Sequence, residues 1–237
     1  MIKAILFDLD GTLLPMDQEQ FTKGYFKTLS ETLAPHGYEP KMLIQGIMTG
    51  VDAMVKNNGQ QSNEDVFWQT FTQYCPGPFK ANQPLFEAYY QNEFHQLQSV
   101  CGRQPAVQGV VDWAKRNGYL LVLATNPIFP QVATLQRMKW AGIDQSAFTY
   151  ITTYENSGFC KPNPKYYLDI VHQLGCLPEE CLMIGNDVSE DMVAKDVGMQ
   201  VFLLTDCLIN PSQQDISIYP HGDFDALMKY LNHLNEA

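Results

Sequence analysis

Short, almost wholly apolar runs recur along the chain, and several stop abruptly at polar residues. Ala4-Ile5-Leu6-Phe7 leads straight into Asp8-Leu9-Asp10-Gly11-Thr12, the pattern of a buried strand opening into a glycine-containing turn. Comparable runs are Leu120-Leu121-Val122-Leu123-Ala124, Phe148-Thr149-Tyr150-Ile151, Cys181-Leu182-Met183-Ile184 and Val201-Phe202-Leu203-Leu204. Helix-like segments near residues 106–117, 130–141, 164–174 and 190–197 separate them. A strand without polar alternation must be covered on both faces. Strands alternating with helices therefore predict an α/β fold with a parallel sheet, here of five strands.

Residues 15–104 break this rhythm, and the interval is far too long for a single crossover. Aromatic and aliphatic residues recur there at helical spacing: Phe21, Tyr25 and Leu29, then Phe67, Trp68 and Phe71, then Phe86, Tyr89, Tyr90 and Phe94. Such stripes read as the packing face of helices. The sequence thus predicts an α/β core domain from residues 1–14 and 105–237, and a helical domain over 15–104 hinged at the end of the first strand. Pro76-Gly77-Pro78 marks a loop within the insert, and Gly102 to Pro105 the return to the sheet.

Composition narrows the choice of partner. The 237 residues carry a formal net charge of −11. Such a surface repels nucleic acid and anionic membranes, so a phosphate-backbone partner is not expected. No apolar run approaches the roughly 18 residues of a membrane span. The six cysteines form no CxxC pair, which reads as reduced thiols in a cytoplasmic protein, and no secretory leader is evident after Met1. An acidic protein that handles an anion must create a local positive field.

Four places carry chemistry. Asp8 and Asp10, at i and i+2, leave the first strand toward one face and repel each other unless a cation or proton compensates them. Thr125 and Asn126 end a second strand before Pro127, which alone would be an ordinary turn. Lys161 is framed by Pro162 and Pro164 at the start of a helix. Gly185-Asn186-Asp187 ends a further buried strand, with Glu190 and Asp191 opening a helix whose dipole favours acids. Strand ends at a switch point of an open α/β sheet are where ligands bind, and oxygen donors from two of them suit a hard cation such as Mg²⁺.

The four motifs, in this order, resemble those of the haloacid dehalogenase-like (HAD) hydrolases, over Ile2 to about Leu204. The resemblance implies a Rossmann-like parallel core with a helical cap at 15–104, of the phosphatase type. It implies a Mg²⁺-dependent hydrolysis of small-molecule phosphomonoesters through an aspartyl-phosphate. Asp8 would be the nucleophile and Asp10 the acid–base. Thr125, Asn126 and Lys161 would bind phosphate, with Lys161 also offsetting the charge of the nucleophile. Mg²⁺ would be held by Asp8, the Asp10 carbonyl and one residue of the fourth motif, with Asp191 orienting water or Lys161. The family's usual Gly-Asp is Gly185-Asn186 here, followed by Asp187, so either residue is a candidate ligand, with Asn186 favoured. Bringing two motifs so distant in sequence to one cation predicts that the strand ending at Asp8 is central and adjacent to the strand ending at Ile184. A phosphomutase or phosphotransferase of the same fold is the alternative. A 2-haloacid dehalogenase, whose family members generally lack the second Asp, and a non-catalytic binding module fit less well.

Overall fold

The computed structural model describes residues 1–74 and 79–236. Five strands, β1 (Ala4–Phe7), β2 (Leu120–Leu123), β3 (Tyr150–Ile151), β4 (Cys181–Gly185) and β5 (Gln200–Leu204), were expected in outline, and a sixth, β6 (His221–Gly222), joins them. All pair in parallel, in the order β3-β2-β1-β4-β5-β6. β1 lies between β2 and β4, with Phe7 in register with Leu123 on one side and Ile184 on the other. The chain runs outward from β1 through β2 to β3, then returns to the opposite side of β1 with β4. That reversal opens a crevice at the C-terminal ends of β1 and β4.

Period-two alternation explains how apolar runs serve two faces. Ile5, Phe7, Leu121, Leu123, Leu182, Ile184, Phe202 and Leu204 belong to one buried cluster; Ala4, Leu6, Val122, Ala124, Met183, Val201 and Leu203 belong to the other. Burying each of the larger side chains is worth about 1.5–3 kcal/mol. This concentrates stability in the strands whose ends carry the polar residues.

Helices α1 (Gln18–Leu33), α2 (Pro40–Val55), α3 (Asn63–Phe71) and α4 (Phe79–Asn92) fill the interval between β1 and the helix α5 (Ala106–Arg116). Their starts are locally encoded. The side chains of Asp17, Glu39 and Ser62 each accept a hydrogen bond from a backbone N–H of the following turn. Where the chain leaves and returns, Met16 bridges Cys101 antiparallel and Gly102 N donates to Pro15 O at 2.6 Å. The stripes Phe21–Tyr25–Leu29 and Phe67–Trp68–Phe71 are buried in the same apolar cluster as one face of the sheet. Helices α6 (Gln131–Trp140), α7 (Pro164–Leu174) and α8 (Phe224–Glu236) complete the cover.

Departures from the sequence pattern are local. The 148–151 run shortens to two paired residues, and the expected helix at 190–197 is a 3-10 helix over Met192–Val197. β6 is two residues long and polar, so it has no hydrophobic signature to read. The Pro76-Gly77-Pro78 loop and Cys75 lie outside the described residues. Cys101, Cys160, Cys176, Cys181 and Cys207 are free thiols. Among the described residues no helix is long and apolar enough to cross a membrane.

Candidate active site

Asp8 follows β1, and its backbone N–H donates to Ile184 O at 2.9 Å, pinning it to the end of β4. Its carboxylate is buried between two donors. Lys161 Nζ donates to Oδ1 at 2.9 Å and Thr12 Oγ1 to Oδ2 at 3.1 Å. Burial pushes the Asp8 pKa up to about 7. Lys161 opposes that shift, while the charges of Asp191 and Asp10 add to it.

Lys161 is 1% exposed and also donates to Asp191 Oδ1 at 2.6 Å. Burial disfavours its charge, but Asp191 and Asp8 outweigh that penalty, so its pKa rises and the ammonium persists at neutral pH. The other oxygen of Asp191 accepts from the backbone N–H of Asp187 at 2.9 Å. Gly185 makes this possible, because a Cβ there would collide with the Asp191 carboxylate.

Thr12 joins the two strand ends. Its hydroxyl contacts Asp8 and also donates to Asn186 Oδ1 at 2.8 Å, while Asn186 Nδ2 donates to Cys207 O at 2.7 Å. These bonds fix the amide oxygen of Asn186 on the Thr12 hydroxyl that Asp8 also contacts. Gly11, at φ 85°, lies against the Asn186 amide and has no room for a side chain. Asp187 is used differently: its Oδ1 accepts from the backbone N–H groups of Ser189 and Glu190 at 2.7 and 2.9 Å, capping the turn.

Asp10 pairs with Arg137, which donates to Oδ2; its Oδ1 is buried without a partner among the described residues. Arg137 is 1% exposed on α6, stacks over Phe129 at 4.5 Å and holds the Thr134 hydroxyl at 3.3 Å. The two neighbouring carboxylates are thus compensated separately, Asp8 by Lys161 and Asp10 by Arg137. The Thr125 carbonyl is fixed by hydroxyl donors from Thr152 at 2.7 Å and Tyr166 at 2.9 Å. Asn126 Nδ2 donates to Glu190 at 3.1 Å, and its buried Oδ1 has no partner among the described residues. Burial pushes the Glu190 pKa up to about 7, with Lys161 opposing and Asp191 and Asp187 reinforcing.

These groups line the floor of a cavity of about 340 Å³, roofed by α1 and α2. Asp8, Asp10, Thr125, Asn126, Asn186, Asp187 and Asp191 all border it, and Lys161 sits against Asp8 just beneath. Arg137 was not legible as a site residue, since a lone Arg on a helix reads as a solvated charge. The available signal was its place among buried Ala133, Thr134 and Met138, at helical spacing. Glu190 was legible only as a helix-start acid and proves to hold Asn126.

Among the described residues no three His, Cys, Asp or Glu side chains converge as a metal cluster. The donor set nevertheless fits a hard cation. Asp8 and Asn186 present oxygens to the same Thr12 hydroxyl. Five carboxylates border the cavity, against the two buried cations Lys161 and Arg137. An anionic ligand in such a field calls for added positive charge.

A family model for haloacid dehalogenase-like hydrolases matches residues 2–198, and the chain belongs to that family. It is 26% identical over 211 residues to the glyceraldehyde 3-phosphate phosphatase of Methanothermobacter thermautotrophicus, covering 86% of each chain. It is 27% identical over 208 residues to phosphoglycolate phosphatase 1 of Pseudomonas aeruginosa, covering 86% of this chain and 69% of that one. The fold is shared with a HAD phosphatase from Thermococcus onnurineus (TM-score 0.59, 20% identity, covering 97% and 98%). It is shared equally with a 2-haloacid dehalogenase from Pseudomonas syringae (TM-score 0.65, 19% identity, covering 99% and 100%). The fold alone therefore does not separate the two chemistries.

Proposed function

We propose that this phosphate-ester hydrolase releases phosphate from small phosphomonoesters through covalent attack by Asp8. The supporting observation is Lys161, fully buried between Asp8 and Asp191 at the floor of an otherwise acidic cavity. A buried ammonium in that position neutralises the nucleophile and leaves an adjacent site that tolerates a phosphoryl anion. The phosphatase names of the relatives point the same way.

In this reading an Asp8 oxygen attacks phosphorus as the ester oxygen leaves, forming an aspartyl-phosphate. Asp10 gives its proton to the leaving oxygen. Asp10 then takes a proton from the water that attacks the acyl phosphate, regenerating Asp8 and releasing phosphate. Thr125 and Asn126 hold the phosphoryl oxygens on the loop fixed by Thr152 and Tyr166. The Asp8 carboxylate, the Asp10 carbonyl and the Asn186 amide oxygen would hold Mg²⁺, which when bound supplies positive charge beside the phosphoryl group. The placement of the Asn186 amide oxygen on the Thr12 hydroxyl that Asp8 also contacts, and the use of Asp187 as a turn cap, favour Asn186 as the ligand.

The helices over 15–104 act as the cap domain that selects the leaving group, the core being 1–14 and 105–237. The test is phosphate release from p-nitrophenyl phosphate. Turnover is expected with Mg²⁺, with loss on chelation and recovery when Mg²⁺ is restored. Full turnover in excess chelator would overturn the metal assignment, and no phosphate release from any monoester would overturn the activity.

A further inference from the structure

The phosphate end of the cavity is charged; the wall that faces it is not. From α1 come Phe21, Tyr25 and Phe26, from α2 Ile47 and Val51, and from the loop after β2 Phe129. The Tyr25 hydroxyl is turned away to Tyr90 at 2.8 Å, so its ring is what the cavity meets. Polar side chains on this wall are confined, among the described residues, to Gln18 and Thr22.

No described lining residue there is Lys, Arg or His. Of the cations on or just after α1 and α2, Lys23 pairs with Glu19 and Lys56 with Asp52 on the exposed surface, and Lys27 and Lys41 are exposed and do not border the cavity. Arg137 lies over Phe129 but directs its charge to Asp10. A leaving group bearing a carboxylate or second phosphate would meet apolar helices on one side and five carboxylates on the other, with no cation among the described lining residues to receive it.

We propose, resting on the phosphatase reading above, that this enzyme's substrates are phosphomonoesters whose leaving group is uncharged and apolar, a single aryl ring or a short alkyl chain. The wall of α1 and α2 is the specificity determinant. This separates the chain from a relative named for phosphoglycolate, whose leaving group carries a carboxylate. A site built to pair a charge rejects the analogue lacking it, and an apolar wall rejects the charge itself.

The test compares n-pentyl phosphate with 5-phosphooxypentanoate. The two have matched leaving-group alcohols and differ chiefly in one terminal carboxylate. With Mg²⁺ present, kcat/KM should favour pentyl phosphate at least about ten-fold. Met48 and Thr22 line the cavity and are exposed, so Met48→Lys and Thr22→Lys offer a cation without opening the core. Either should narrow the ratio several-fold by improving the carboxylated substrate.

Equal rates on the two substrates, or a preference for the carboxylated one, would overturn the proposal while leaving the phosphatase reading intact. If neither ester is hydrolysed while p-nitrophenyl phosphate is, the phosphatase reading stands and binding decides the proposal; if p-nitrophenyl phosphate is not hydrolysed either, both fall. Tighter binding of pentylphosphonate than of its carboxylated counterpart, measured by calorimetry, supports the apolar wall. Equal binding refutes it.

Discussion

The floor of the cavity and its helical roof hold their side chains by different means. On the floor, Lys161, Asp8, Thr12, Asn186, Asp191 and Asp187 form one chain of hydrogen bonds, drawn from the segments that follow β1, β3 and β4. On the roof, the lining aromatics are held by packing, with Tyr25 edge-on to Phe129 at 5.5 Å and Phe21 edge-on to Phe94 at 6.2 Å. A single substitution on the floor strands a buried polar partner, which is costly. A substitution on the roof changes shape and polarity at modest cost. Chemistry and selectivity are therefore expected to separate under mutation: floor changes act on kcat for every substrate, and roof changes act on the ratio between substrates.

The largest effect expected is from Asp8→Asn. The amide is close to isosteric and keeps contact with Thr12 and Lys161, yet lacks the nucleophile. Turnover should fall on the order of a thousand-fold or more with the circular dichroism spectrum unchanged. Turnover close to that of the unaltered protein would remove Asp8 from that role and dissolve the floor as a catalytic unit.

Arg137→Met comes next. It removes the buried partner of Asp10 while keeping a long side chain under Phe129. The expected loss is in kcat, about ten- to hundred-fold, with KM little changed. A rise in KM alone, with kcat preserved, would show Arg137 to be a packing residue only. A smaller effect separates the two candidate ligands. Asn186→Asp adds a charge at the Thr12 hydroxyl that Asp8 also contacts and should lower the Mg²⁺ concentration needed for half activity, whereas Asp187→Asn should change it little. If Asp187→Asn abolishes metal dependence, the ligand lies one residue further along.

The floor was readable in the sequence because its residues sit where apolar runs stop. Asp8, Thr125 and Asn186 each follow directly on a buried strand, so the hydrophobic pattern that fixes the sheet also fixes their height in it. The central place of β1 beside β4 followed from the same reasoning and is observed. Arg137 was not readable, because its partner Asp10 is 127 positions away and nothing local distinguishes a paired Arg from a solvated one. The roof was readable as helices but not as a surface. The stripe Phe21–Tyr25–Leu29 shows that one face is buried, and not that Phe21 and Tyr25 also look into a cavity. β6 and α8 were missed, the first because two polar residues carry no period.

The smallest effect concerns pH and tests whether the acidic floor is strained without metal. Burial raises Glu190 from its ordinary 4.5 to about 7, and Asp8 is raised likewise. Between those values the folded state binds more protons than the unfolded state, so stability falls as pH increases through that window. For the chelator-treated protein, the stabilisation from Glu190 is complete below about pH 4.5 and that from Asp8 below its ordinary 3.8, and both are lost above about 7. Glu190→Gln keeps an acceptor for Asn126 Nδ2 but cannot ionise. The melting temperature of the metal-free variant should therefore decline less steeply from pH 5 to pH 7.5 than that of the unaltered protein, with the remaining slope left to Asp8. Identical slopes in the two proteins would mean that Glu190 ionises without penalty and that solvent, not a closed acidic floor, surrounds it.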